Sequence, residues 1–194
     1  MKTELIVIAD CSGSMGPMRK ESEQGVRKLI ADQKEVPGDV RLTLVQFNTD
    51  IITPIAARPL EKVKPEDVNF ICNSLTALYD AVGVTLDGVA ERIKKEAWAD
   101  LVIVAVLTDG AENASKIYTG EQVQAMVKHC EANGWKFIMM AAGIEVKAQS
   151  ATVGMQNSAL RSYGATGQGV SQAYADLSTD TRSLRSGQSI PQNR

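Results

Sequence analysis

Seven consecutive apolar residues, Leu101 to Leu107 (L-V-I-V-A-V-L), constrain the fold of this 194-residue chain more than any other stretch. A short branched run without polar alternation reads as a strand covered on both faces, the pattern of a parallel sheet layered between helices. Glu4 to Ala9 (E-L-I-V-I-A) and Trp135 to Ala142 (W-K-F-I-M-M-A-A) have the same character. The first of these strands ends at Asp10, and the Leu101 run ends in Thr108-Asp109-Gly110, so two strands each deliver a carboxylate at their carboxyl end. Open α/β sheets place their sites there.

The intervening segments predict the rest of the architecture. Met15 to Lys34 reads as a helix with Val26, Leu29 and Ile30 on one face and Pro17 in its first turn. Arg41 to Phe47 and Ile51 to Ala57, separated by Asn48-Thr49-Asp50, predict an antiparallel hairpin, with Pro54 assigning the second strand to an edge. Leu78, Val82, Leu86, Val89 and Ile93 mark a helix after Thr76, and Val123, Met126, Val127 and Cys130 mark another over Gly120 to Asn133. Pro59 to Phe70 reads as a loop with a short helical turn. The order predicts a doubly wound, Rossmann-like three-layer α/β/α sandwich, mostly parallel with one antiparallel edge strand.

Beyond residue 142 the expected elements are a short helix over Glu145 to Met155, a short strand over Leu160 to Tyr163, and a last helix faced by Val170, Ala173, Tyr174, Leu177 and Leu184. The expectation is a single domain over 1–185, with 143–185 as its C-terminal part and 186–194 as a flexible tail.

Composition narrows the function classes. The net charge is −2 and no Lys/Arg run exceeds two residues, so no nucleic-acid surface is expected. No apolar run approaches the length of a membrane span. Three cysteines, Cys11, Cys72 and Cys130, lack zinc-site spacing, and the single His129 forms no cluster; free thiols fit a reducing, cytoplasmic setting.

The first loop, Asp10-Cys11-Ser12-Gly13-Ser14, offers a carboxylate and two hydroxyls at alternate positions. Taken alone, it serves equally as a helix cap or as part of a site for a hard cation, Mg²⁺ or Mn²⁺ with Ca²⁺ as a further possibility. If the strands before Asp10 and Asp109 are neighbours, about 4.8 Å apart, their carboxylates converge. Thr76, after the loop Asn69 to Leu75, is then positioned to add a third hydroxyl.

Asp10-x-Ser12-x-Ser14, Thr76 and Thr108-Asp109-Gly110 together resemble the metal-ion-dependent adhesion site (MIDAS) of von Willebrand factor type A domains. The stretches I-V-I-A-D before the motif, T-A-L-Y-D-A at 76–81 and V-L-T-D-G at 106–110 have that family's form, and the likeness spans roughly residues 4 to 142. The whole is similar to small intracellular bacterial and phage members. One departure is Ser74, where members often carry glycine two residues before the threonine. The resemblance implies that Ser12, Ser14 and Thr76 bind the metal directly and that Asp10 and Asp109 act mainly through water. It also implies a protein partner whose Asp, Glu or terminal carboxylate completes the coordination. Met15, Met18, Arg19, the 69–75 loop and Glu112 to Ser115 are the expected rim, with the methionines read either as adaptable contacts or as core filling.

Other classes fit less well. A haloacid-dehalogenase-type hydrolase needs a second aspartate where Ser12 stands, and the first loop has neither Gly-x-Gly-x-x-Gly nor a phosphate-loop lysine. Cys11 has no histidine partner in sequence. The expectation is therefore a non-enzymatic, metal-dependent interaction module, with a structural protein that uses the metal for stability as the alternative.

Overall fold

The computed structural model describes residues 1–142, 151–155 and 159–191. The strands are β1 (Thr3–Asp10), β2 (Val40–Phe47), β3 (Ile51–Pro59), β4 (Leu101–Thr108), β5 (Lys136–Ala142) and β6 (Ala159–Tyr163). The α-helices are α1 (Arg19–Lys34), α2 (Leu78–Glu96), α3 (Gly120–Ala132) and α4 (Gly167–Arg185). Among the described residues the strands form one sheet in the order β3-β2-β1-β4-β5-β6. Only the β2–β3 pair is antiparallel. The expected α/β/α sandwich, the mixed sheet and the edge position of the Pro54 strand are all present.

The apolar runs are buried for the reason their composition demands. Leu5, Val7 and Ala9 of β1 face one layer with Ile103, Ala105 and Leu107 of β4, while Ile6 and Ile8 face the other with Val104 and Val106. The first layer is covered by α1 and α4, and the second by α2 and α3. Gly25 of α1 makes a close helix contact possible, because a Cβ there would sit 2.3 Å from the Tyr174 ring of α4. Thr119 closes the start of α3 with a capping box: its hydroxyl accepts from the Gln122 N–H while Gln122 Oε1 accepts from the Thr119 N–H.

One boundary differs from the pattern reading. The helix expected from Met15 begins at Arg19, and Gly13–Met18 is instead a 3₁₀ turn containing Pro17. The tighter turn swings Met15 and Met18 inward, 0% and 5% exposed, so both are core and neither belongs to the rim. The expected helix over 145–155 lies mostly outside the described residues, of which Ala151 and Thr152 are helical. Among the described residues no helix is long and apolar enough to cross a membrane.

Register positions the loops. Ala9 of β1 pairs with Leu107 of β4, and Asp10 pairs with Phe47 of β2. The loops after β1 and β4 therefore leave the same edge side by side, beside the hairpin turn that follows β2.

Candidate metal centre at the carboxyl ends of the strands

Asp10 is fully buried at the end of β1, and each of its oxygens has a donor. Oδ1 accepts the Ser12 N–H at 2.7 Å and Oδ2 accepts the Thr108 hydroxyl at 2.6 Å. Burial pushes its carboxyl above the ordinary range; the Thr108 and Ser12 hydrogen bonds oppose this, while the Asp109 charge adds to it. From Ser12 a chain of oxygens runs outward. Ser12 Oγ and Ser14 Oγ are 3.1 Å apart, and Ser14 Oγ donates to Asp109 Oδ1 at 2.8 Å.

Thr76 joins from the opposite loop. Its N–H donates to Asn113 Oδ1 at 2.9 Å and its carbonyl accepts the Asn113 N–H at 3.0 Å, a two-way clamp between the loop before α2 and the loop after β4. Gly110 leaves the space these groups face: a Cβ there would lie 3.4 Å from Thr76 Oγ1 and 4.0 Å from Ser14 Oγ. The loop carrying Thr76 is also laced to the first loop, since Asn73 N–H donates to the Cys11 carbonyl and Gly13 N–H to the Ser74 carbonyl, each at 3.0 Å. Ser74 holds φ at +62°, the left-handed region in which glycine is at ease.

These residues fit a small hard cation. Octahedral oxygens about 2.1 Å from Mg²⁺ are about 3 Å from each other, close to the Ser12–Ser14 and Ser14–Asp109 spacings. Among the described residues neither Asp10 nor Asp109 forms an ion pair with lysine or arginine. No three His, Cys, Asp or Glu side chains among those residues converge on a point, so any cation here relies on hydroxyls beside two carboxylates.

The rim differs from the sequence expectation in more than the methionines. Glu112 is turned inward, its carboxylate accepting from the N–H groups of Tyr79, Ala114 and Ser115 and from the Ser115 hydroxyl. Arg19 donates to the Phe70 carbonyl at 3.3 Å and bonds Glu23, bracing the base of the 69–75 loop. The same loops also expose large apolar side chains: Ile71 and Ile117 are each 65% exposed and Leu75 is 55% exposed. Pattern reasoning overlooked these, although single large apolar residues within polar loops were the available signal. It also overlooked the supporting roles of Thr108, of Asn113, and of Tyr163, whose hydroxyl donates to the Thr108 carbonyl at 2.9 Å.

At the level of sequence, no family model and no curated protein matches the chain. Solved structures do match its shape. Proximal thread matrix protein 1 of the mussel byssus, in a structure with a zinc-occupied MIDAS motif, is similar with a TM-score of 0.64 at 13% identity, over 93% of this chain and 46% of that one. The von Willebrand factor type A structure from Catenulispora acidiphila gives 0.68 at 12% identity, over 93% and 43%. The vWF domain of the type V pili tip protein Mfa5 from Porphyromonas gingivalis gives 0.66 at 9% identity, over 97% of both chains. The chain spans less than half the length of the mussel and Catenulispora chains it matches. Likeness at these identities speaks for architecture: this protein has a von Willebrand factor type A-like fold.

Proposed function

We propose that this protein is a non-catalytic interaction module. Its carboxyl-end loops hold a divalent cation, Mg²⁺ in the first instance with Mn²⁺ or Ca²⁺ as substitutes, and bind the carboxylate of a protein partner. The observation that carries the reading is the convergence of Asp10, Ser12, Ser14 and Asp109 in one hydrogen-bonded chain, with Thr76 facing the same space and no lysine or arginine paired with the carboxylates among the described residues. Ser12, Ser14 and Thr76 would ligate directly, while Asp10 and Asp109 orient the hydroxyls and balance charge. When bound, a divalent ion ringed mainly by neutral hydroxyls keeps enough positive charge to attract one further carboxylate oxygen. Asp10 holds the first loop through the Ser12 N–H, Thr108 holds Asp10, and Asn113 holds Thr76, so the hydroxyls are oriented before any ligand arrives. Ile71, Leu75 and Ile117 supply apolar surface that a partner segment would cover around its acidic residue.

The unit we propose is one domain over 1–185 with 186–194 as a tail, acting in the cytoplasm of a bacterial or phage system. The three free thiols support the reducing setting.

The test is calorimetric titration of Mg²⁺ and Mn²⁺ into the protein, followed by partner capture in Mg²⁺ and in EDTA. Ser12→Ala and Thr76→Ala are expected to abolish measurable metal binding, and Asp10→Ala to weaken it on the order of 100-fold. EDTA and Thr76→Ala are both expected to release the partner. Unchanged metal binding in all three variants overturns the site; a partner retained in EDTA moves the interface elsewhere.

A further inference from the structure

The first loop and the Thr76 loop carry a feature that metal and carboxylate binding do not use. Cys11 sits between Asp10 and Ser12, and Cys72 lies on the facing loop, four residues before Thr76. The two backbone hydrogen bonds that lace these loops, Asn73 N–H to the Cys11 carbonyl and Gly13 N–H to the Ser74 carbonyl, fall beside the two cysteines. They bring the two residues together, and both side chains pack in the same hydrophobic layer. Both thiols are free; Cys11 is buried and Cys72 is half-buried. Buried against the core, Cys11 is shielded from solutes, and Cys72 is the sulfur a small solute meets first. Arg19, fixed on the Phe70 carbonyl two residues away, places a cation near that sulfur.

We propose that Cys11 and Cys72 form an oxidation site, a dithiol that a hydroperoxide converts to a disulfide clasping the first loop to the Thr76 loop. Cys72 gives up its proton, and its sulfur attacks one oxygen of the peroxide. The O–O bond breaks, and with hydrogen peroxide the departing oxygen leaves as water, so Cys72 becomes a sulfenic acid. The sulfur of Cys11 then attacks the Cys72 sulfur. The S–O bond breaks, and the hydroxide takes up the Cys11 proton and leaves as a second water. Two thiols have lost two electrons in all, and the peroxide has gained them. Cys72 suits the attacking role, because it is the more exposed of the two sulfurs and the Arg19 guanidinium is held on the Phe70 carbonyl two residues away. Cys11 suits the resolving role, since it is already in place when the sulfenic acid forms. Cys130 stands apart: it is buried on the opposite helical layer, and burial pushes its thiol up to about 11.

This site stands whether or not the loops bind a metal. Its consequence is mechanical. The two loops, held in the reduced protein by two hydrogen bonds, become covalently joined, and the 69–75 segment loses freedom to lift from the first loop.

The experiment is treatment of the whole protein with hydrogen peroxide, alkylation under denaturing conditions, and peptide mass spectrometry. The expected product is a Cys11–Cys72 linked peptide lighter by two hydrogens than the two reduced peptides, with Cys130 alkylated, so that free thiols fall from three to one. Dithiothreitol should restore all three. Cys72→Ser, at a half-buried position, should fold as judged by circular dichroism and form no intramolecular link, whereas Cys130→Ser should still form it. Limited proteolysis within 69–75 should slow several-fold on oxidation. Peroxide that leaves both cysteines alkylatable overturns the proposal, as does peroxide that carries Cys72 to sulfinic acid with Cys11 still free. Unchanged cleavage of 69–75 in the disulfide form overturns the clasp.

Discussion

Strand β1 carries a buried carboxylate near each end, and the fold treats the two in opposite ways. Glu4, at the start of β1, accepts a hydrogen bond from the Arg92 guanidinium of α2 and lies 3.4 Å from the Thr43 hydroxyl of β2. Asp10, at the other end, receives the Ser12 N–H and the Thr108 hydroxyl, and no lysine or arginine among the described residues pairs with it. Burial is the leading influence on both and pushes both carboxyls up. The chain can therefore bring a cation to a buried carboxylate on this strand, and does so at its start. At the loop end, among the described residues, it supplies neutral donors instead.

Removing each end's partner should expose that difference. Arg92→Met leaves Glu4 buried without its ion-pair partner, with only the more distant Arg41 charge to offset it; allowing for the partial exposure of Arg92, we expect a loss of about 2 kcal/mol in urea unfolding. Asp10→Asn removes a charge that no side-chain cation balances, so in EDTA it should cost less than about 1 kcal/mol. A metal-free cost equal to that of Arg92→Met breaks the comparison.

The pH dependence sharpens it. A carboxyl whose pKa is raised in the fold binds its proton more tightly there than in the unfolded chain, so its contribution is greatest at low pH. That contribution is lost as pH rises from the ordinary aspartate value of 3.8 through the raised value of Asp10. In EDTA the stability of the wild type relative to Asp10→Asn should accordingly fall across that window. Saturating Mg²⁺ should cancel the fall, because binding favours the ionised form. A difference that rises with pH in EDTA would overturn the assignment of Asp10 as an uncompensated charge.

An effect of similar size and opposite sign concerns the loop that carries Thr76. Ser74 holds φ at +62°, so Ser74→Gly should stabilise the protein by about 1 kcal/mol if the strain outweighs glycine's extra unfolded-state entropy. Thermal unfolding measures the balance, and a loss of stability would mean that the serine is at ease in that conformation.

Much of this arrangement was legible in the amino-acid order. Strand runs such as Leu101 to Leu107 announce themselves because burial on both faces removes every polar residue, and the hairpin follows from three polar residues between two such runs. The convergence of Asp10 with Asp109 followed from strand ends that finish in carboxylates. What could not be read was governed by contacts distant in sequence. Met15 and Met18 turn inward because a 3₁₀ turn has a different period from the helix that follows it. Glu112 folds back onto the N–H groups of its own loop, and Tyr163 reaches Thr108 across the sheet. Nothing in the local spacing of those residues encodes such partners. The pairing of Cys11 with Cys72 was invisible for the same reason.

The two helical layers also differ in how their members are ordered along the chain. α2 and α3 are separated by a single strand, whereas α1 meets its neighbour α4 only after every strand of the sheet has been made. Arg185, near the end of α4, seals that late contact by donating to the carbonyls of Gln33 at 2.7 Å and Val36 at 2.9 Å. On a ribosome the α2–α3 side can therefore close once β5 has emerged, while the flank of α1 that receives Tyr174 waits for the last helix. For that interval the nascent protein exposes a sticky apolar flank at one known place, and a chaperone that shields unfinished chains would find it beside Val26, Leu29 and Ile30.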